Sequence, residues 1–147
     1  MTEKERNDYF YLCSLIEYIA RKTTNRRGVI VEALGKDGLE KQLYDAQVNH
    51  CLSFEQVSDE VIEQYQITPG DFDTITGCKY KVPSFQDIGR LYSIMIEDCA
   101  RPGEEMDELM KLFCSFISDE ISRFDTDLYY QNPSYLECSY QEGDLLD

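Results

Sequence analysis

Apolar residues along this chain recur every three or four positions, the spacing of one face of an α-helix, over most of its length. Between Asp8 and about Thr23 the repeat runs Phe10, Cys13, Ile16, Ile19 and Ala20. Thr24 or Asn25 then stands where a second, shorter helix can be capped, and Gly35 where a helix commonly stops. Within that segment "GVIV", residues 28 to 31, carries β propensity, which sets it apart from the other helical stretches. Residues 37 to 51 place Leu39, Leu43, Ala46 and Val48 on one side. Ser53 and Gln56 hold capping-box spacing ahead of Val57, Val61 and Ile62.

Punctuation thickens at "TPGDFDTITGCKYKVP", residues 68 to 83, where two prolines and two glycines predict an irregular connection or a short hairpin. Ser84 can cap a helix with the face Ile88, Leu91, Tyr92, Met95 and Cys99, which Pro102 and Gly103 break. The longest predicted helix covers about 104 to 124, with Met106, Leu109, Met110, Phe113, Phe116, Ile117, Ile121 and Phe124 at helical spacing. Glu104, Glu105, Asp107 and Glu108 fall in its first turns, where the helix dipole favours negative charge. The pattern thus predicts an all-α, single-domain bundle of about five to six helices over residues 1 to 147. Its parts are a helical half at 9 to 67, a helical pair at 84 to 124, and an acidic, tyrosine-rich tail at 125 to 147.

Composition agrees with one folded domain: 147 residues, 42% hydrophobic, with eleven tyrosines and seven phenylalanines. No apolar run approaches the ~20 residues of a membrane span. "MTEKERNDYF" lacks the apolar core of a signal peptide, so the expected location is cytoplasmic. The six cysteines, at 13, 51, 78, 99, 114 and 138, have no metal-ligand spacing and are expected to be reduced thiols.

Charge changes the functional picture. The formal net charge is -15. Residues 1 to 50 carry eight basic and eight acidic side chains, residues 51 to 100 three and nine, and residues 101 to 147 three and twelve. The whole excess lies in the last two thirds, a body that repels nucleic acid and favours basic partners. Against it stands "RKTTNRRGVIV", in which Arg26 and Arg27 could meet phosphates or another anion from a turn leading into a recognition helix. The residues after Gly28 are core-like Val29, Ile30, Val31, Ala33 and Leu34 instead of base-reading side chains. The basic turn is therefore expected to pair with the protein's own carboxylates.

Catalytic signatures are weak. "DFDTITG" fails as an EF-hand, because Ile75, Thr76 and Val82 occupy positions that need a ligand, a glycine and a bidentate glutamate. It also fails as a phosphatase-type loop, which needs Thr at 75 after a buried strand. His50 and Cys51 are adjacent, and neighbours on a helix point about 100° apart. No enzyme activity, cofactor or metal is expected.

"YFYLCSLIEYIARKT", "VIVEALGKDGLEKQLYDAQVNHC" and "EQVSDEVIEQYQI" together resemble a family of small bacterial domains of unknown function. The positions that carry the resemblance are Phe10, Ile16, Glu17, Val31, Leu34, Gly38, Leu43, Tyr44, Asp45, His50 and Glu60, over about residues 9 to 67. Members are often encoded beside ADP-ribosyltransferase-like toxin proteins, which implies an antitoxin or accessory role. This chain is about twice as long, and its helices after Ser84 have no counterpart in the family.

The expected function is that of a non-catalytic protein-binding regulator, antitoxin-like, neutralising a basic and toxin-like partner. Alternatives are an acidic nucleic-acid mimic that inhibits a defence nuclease, and a DNA-binding autoregulator using residues 21 to 27. The tail supplies the expected partner-binding residues: Tyr129, Tyr130, Tyr135, Tyr140, Asp125, Asp127, Glu142 and Asp144. Tyrosine combines large contact area with a polar tip, which suits a surface that is wet alone and buried in a complex. The alternative is that the tail wraps back over the helix ending at Phe124 and completes the core, with Tyr129, Tyr130 and Leu136 covering a helix groove.

Overall fold

The computed structural model describes residues 1 to 146, and these form seven α-helices and no strand. Asp147, the last residue of the tail, lies outside the described residues. The elements are α1 (Glu3–Thr23), α2 (Arg27–Asn49), α3 (Phe54–Gln64), α4 (Phe85–Cys99), α5 (Glu105–Phe113), α6 (Phe116–Ile121) and α7 (Pro133–Glu142). A single 3₁₀ turn, Leu128–Tyr130, precedes α7.

Helix α1 begins five residues before the apolar repeat because Thr2 and Glu5 form a reciprocal capping box. It is the central helix, packed on by α2, α3 and α4. Burial therefore extends beyond the predicted stripe to Tyr9, Tyr11, Leu12 and Leu15, while Phe10 is only half-buried beneath the Arg90 guanidinium. At the α1–α4 crossing, Gly89 lies against Ser14: a Cβ on Gly89 would stand 2.8 Å from the Ser14 backbone nitrogen and 2.9 Å from its Cα. Backbone cannot retreat as a flexible side chain can. Gly89→Ala is expected to cost about 2 kcal/mol by forcing the helices apart, read as a lower urea midpoint at unchanged slope.

Helix α2 is bent at Gly35, whose φ of 67° and ψ of 175° are open in practice to glycine alone. The predicted stop is thus a kink through which the helix resumes. The β-prone residues 28 to 31 are helical, since only a helix buries both Ile30 and Val31 against the bundle, leaving Val29 exposed. Thr24 and Asn25 do not cap α2, whose N-cap is Arg26 without a side-chain bond. They tie down the long connection instead. Thr24 Oγ1 donates to the Gly70 carbonyl at 2.7 Å and Asn25 Nδ2 to the Thr68 carbonyl at 2.9 Å. The Gly70 and Phe72 amides donate back to Thr23 and Thr24, each at 2.8 Å. Residues 68 to 83 are irregular as expected, without a hairpin.

The caps at Ser53 and Ser84 are present, each side chain accepting from the amide three residues on. Asp87 completes the box at Ser84, whereas Gln56 does not reciprocate at Ser53. The predicted continuous helix over 104 to 124 is broken at Cys114 and Ser115. Gly28 of α2 passes so close that a Cβ there would be 3.3 Å from Cys114 Cα, and the Ser115 hydroxyl donates to the Leu112 carbonyl at 2.7 Å. The break re-aims α6 so that Ile117, Ser118 and Ile121 all enter the core.

The tail is a correction to the sequence expectation. Leu128, Leu136 and Tyr140 are buried, and α7 packs on α4 and α6. Much of the tail completes the core.

Candidate functional site

The basic turn is spent inside the molecule. Arg27, expected among the possible anion-binding residues, is 2% exposed at its side chain and lies in the core. Its Nε and Nη2 donate to the two carboxylate oxygens of Glu17, at 2.8 and 3.2 Å. Its Nη1 donates to the Tyr92 hydroxyl at 3.0 Å and the Ser118 carbonyl at 2.7 Å. Each of the three guanidinium nitrogens donates to a partner, so the charge is buried without being orphaned. Arg26 pairs with Asp119 at 3.4 Å and stacks 4.5 Å over the Phe72 ring. Lys22 bridges Glu55 and Asp59.

Arg21 has a different task, which positions the candidate site. Its Nε donates to Glu17 at 3.0 Å, its Nη2 donates to the Pro83 carbonyl at 2.6 Å, and its guanidinium lies 5.5 Å over Phe124. Pro83 ends the long connection and Phe124 begins the turn into the tail. One side chain therefore joins two segments that are 41 residues apart in sequence. Along that seam runs an open groove of about 430 Å³. The connection contributes Tyr80 and Lys81; Phe124 and the start of the tail, Asp125, Thr126, Asp127 and Tyr130, contribute the rest. Thr126 shapes the tail wall, its hydroxyl donating to the Arg123 carbonyl at 2.8 Å and accepting from the Leu128 amide at 3.4 Å. A shallower continuation past Asp73 shares Phe124 and Asp125.

The expected partner-binding residues divide. Tyr130, Asp125 and Asp127 line the groove, and Tyr130 is 64% exposed. Tyr80, opposite, is 65% exposed and was not anticipated from the sequence. Tyr140 is buried, and its hydroxyl donates to Glu108 at 2.9 Å; Tyr135 closes the chain end by donating to the Leu146 carbonyl at 2.6 Å. Tyr140 is a correction, since it serves packing within the chain, whereas Tyr135 is partly buried. Tyr129 is half-buried and meets the Tyr130 ring edge-on at 5.0 Å. Glu142 and Asp144 are exposed but lie outside the groove lining.

Electrostatics reinforce the acidic character. Only nine carboxylate side chains take part in ion pairs among the described residues, and Asp125 and Asp127 are not among them. Asp73 accepts from the Ile75 and Thr76 amides at 2.9 and 3.0 Å, and the Thr76 side chain first, then these amides, hold its carboxyl below the ordinary value. Glu137 on α7 behaves in the opposite way: burial first, then the neighbouring Asp98 carboxyl of α4, push it up to about 7. A carboxyl raised in the folded state favours folding fully below its unfolded value near 4.5, and that contribution is lost as pH rises through about 7. Glu137→Gln should therefore raise the melting temperature at pH 8, with the gain shrinking to nothing near pH 4. Melting curves across that range check the sign.

A larger cleft, about 730 Å³, lies between the first half of α1 and the end of α2 and includes Tyr11, Val48 and His50. The Tyr11 hydroxyl is buried without a partner. Beside this cleft, Cys51 Sγ does approach His50 Nδ1, at 3.8 Å, contrary to the helical-neighbour expectation. His50 is the C-cap of α2, so the contact joins two chain neighbours at the helix end. Both side chains are exposed, and neither belongs to the groove. Among the described residues no three potential ligands gather for a metal ion, and no helix is long and apolar enough to cross a membrane. The groove presents aromatic faces, carboxylates and one lysine.

Comparison of the chain with protein-family models, curated proteins and solved structures finds no match. Ile16, Glu17, Val31, Leu34 and Gly38 are buried, and Tyr44 stands 87% exposed on α2.

Proposed function

We propose that this chain is a non-catalytic, protein-binding regulator that docks a basic partner, in the role of an antitoxin-like neutraliser of a toxin-like protein. The observation that carries the docking role is the loop–tail groove, where two exposed tyrosines stand beside carboxylates that no cation among the described residues pairs. Exposed aromatic rings are characteristic of contact surfaces, and unpaired charge of one sign steers a partner of the other. The antitoxin assignment adds to this the resemblance of residues 9 to 67 to domains encoded beside toxin-like proteins. Use of the basic turn for DNA is disfavoured, because Arg21, Lys22, Arg26 and Arg27 are all paired within the chain.

Co-expression of the full chain with the product of its neighbouring gene tests the role. Co-purification at low salt, weakening as salt rises, together with suppression of the partner's toxicity, is the expected result. A neighbour that is neither bound nor inhibited would remove the antitoxin assignment. Sequence-dependent binding to its own promoter at physiological salt would restore the autoregulator alternative.

A further inference from the structure

Asp125 and Asp127 stand one residue apart, free of ion pairs among the described residues, in a groove whose largest side chains are the exposed rings of Tyr80 and Tyr130. Elsewhere this chain fills the combination of ring and carboxylate with its own arginines. Arg26 lies 4.5 Å over Phe72 while pairing with Asp119 at 3.4 Å. Arg27 lies 5.1 Å from the Tyr92 ring centre while pairing with Glu17 at 2.8 Å. In the groove the rings and carboxylates are present, and the only cation lining it is Lys81, which joins no ion pair among the described residues.

We propose that the groove reads an arginine on an extended segment of the partner protein, its guanidinium laid on the exposed tyrosine rings and paired with Asp125 and Asp127. This rests on the docking role proposed above and names its chemistry. A planar guanidinium can stack on a ring and still present two parallel N–H donors to a carboxylate, whereas an ammonium is a strongly hydrated point charge that does neither as well. A volume of about 430 Å³ is that of a cleft for one long side chain and the backbone on either side of it. Charge selects the class of partner: a chain of net charge -15 disfavours a phosphate-bearing ligand and attracts a basic one. Lys81 then acts as a competitor for the same carboxylates, so removing it should improve binding.

The test is fluorescence anisotropy of the full chain with two labelled peptides, alternating Arg-Gly and alternating Lys-Gly. The variants are Asp125→Asn with Asp127→Asn, Tyr130→Ala, Lys81→Gln and, as a distant control on α3, Glu60→Gln with Glu63→Gln. All substituted side chains are exposed, and circular dichroism verifies that each variant folds. The expected result is a preference of about fivefold for the arginine peptide. Asp125→Asn with Asp127→Asn, and also Tyr130→Ala, should weaken it by about tenfold, the α3 control by no more than about twofold, and Lys81→Gln should tighten it. Equal binding of the two peptides, with the α3 control as damaging as the groove variants, would mean diffuse attraction and overturn the arginine site while leaving acidic docking intact. Absence of binding by either peptide at low salt overturns the site as well. The co-expression experiment judges the docking role independently.

Discussion

Replacing Arg27 by alanine is expected to lower stability by about 3–5 kcal/mol, a large part of what a domain of this size possesses. The loss comes less from the ion pair itself than from what remains. Glu17 keeps its position, with its side chain 4% exposed, and retains only Arg21 as a cationic partner. The Ser118 carbonyl and the Tyr92 hydroxyl each lose a charged donor in the core. Tyr92 also stacks on Phe113 with ring centres 4.3 Å apart, so disturbance of the network reaches α5. Urea denaturation should show the midpoint falling at similar slope. Arg27→Met with Glu17→Leu, which removes both charges, should be much milder than the sum of its parts. Additive losses would show that the two side chains stabilise independently.

Deleting residues 125 to 147 is expected to cost more still, above about 5 kcal/mol, leaving a chain without fixed tertiary packing. Leu136 is fully buried, Leu128 and Tyr140 nearly so, and their removal uncovers α4 and α6. Tyr140 adds its hydrogen bond to Glu108 and lies 5.7 Å from Lys111 Nζ. Near-ultraviolet circular dichroism should lose its aromatic signal. Tyr130→Ala, by contrast, removes an exposed ring and should leave stability within about 0.5 kcal/mol. A truncated protein with an unchanged melting temperature would return the whole tail to the partner interface.

The groove was half legible. Tyrosines and aspartates without sustained periodicity and without nearby cations marked the tail as unusual, and three of the residues expected there line the groove: Asp125, Asp127 and Tyr130. Tyr135 and Tyr140 carry the same composition yet close the fold, because composition cannot say which ring has a neighbouring helix to cover. Tyr80 carried no signal at all. It sits in an irregular segment, and its place opposite the tail depends on Arg21 binding Pro83 and stacking on Phe124.

By itself the sequence determined what local physics decides. Helical spacing of apolar residues set the all-α class, serines before acidic or amide residues set the starts of α3 and α4, and proline with glycine set the irregular connection. Tertiary structure alone decided three things. It broke the helix at Ser115, where Gly28 of α2 passes against the backbone of Cys114. It turned Thr24 and Asn25 from presumed helix caps into anchors for the connection. It drew Arg27 inward, since a guanidinium can be buried only where a carboxylate and neutral oxygens from other helices converge on it, and Glu17, Tyr92 and Ser118 lie 10, 65 and 91 residues away. Contacts of that span follow from how the helices pack, and no local pattern encodes them.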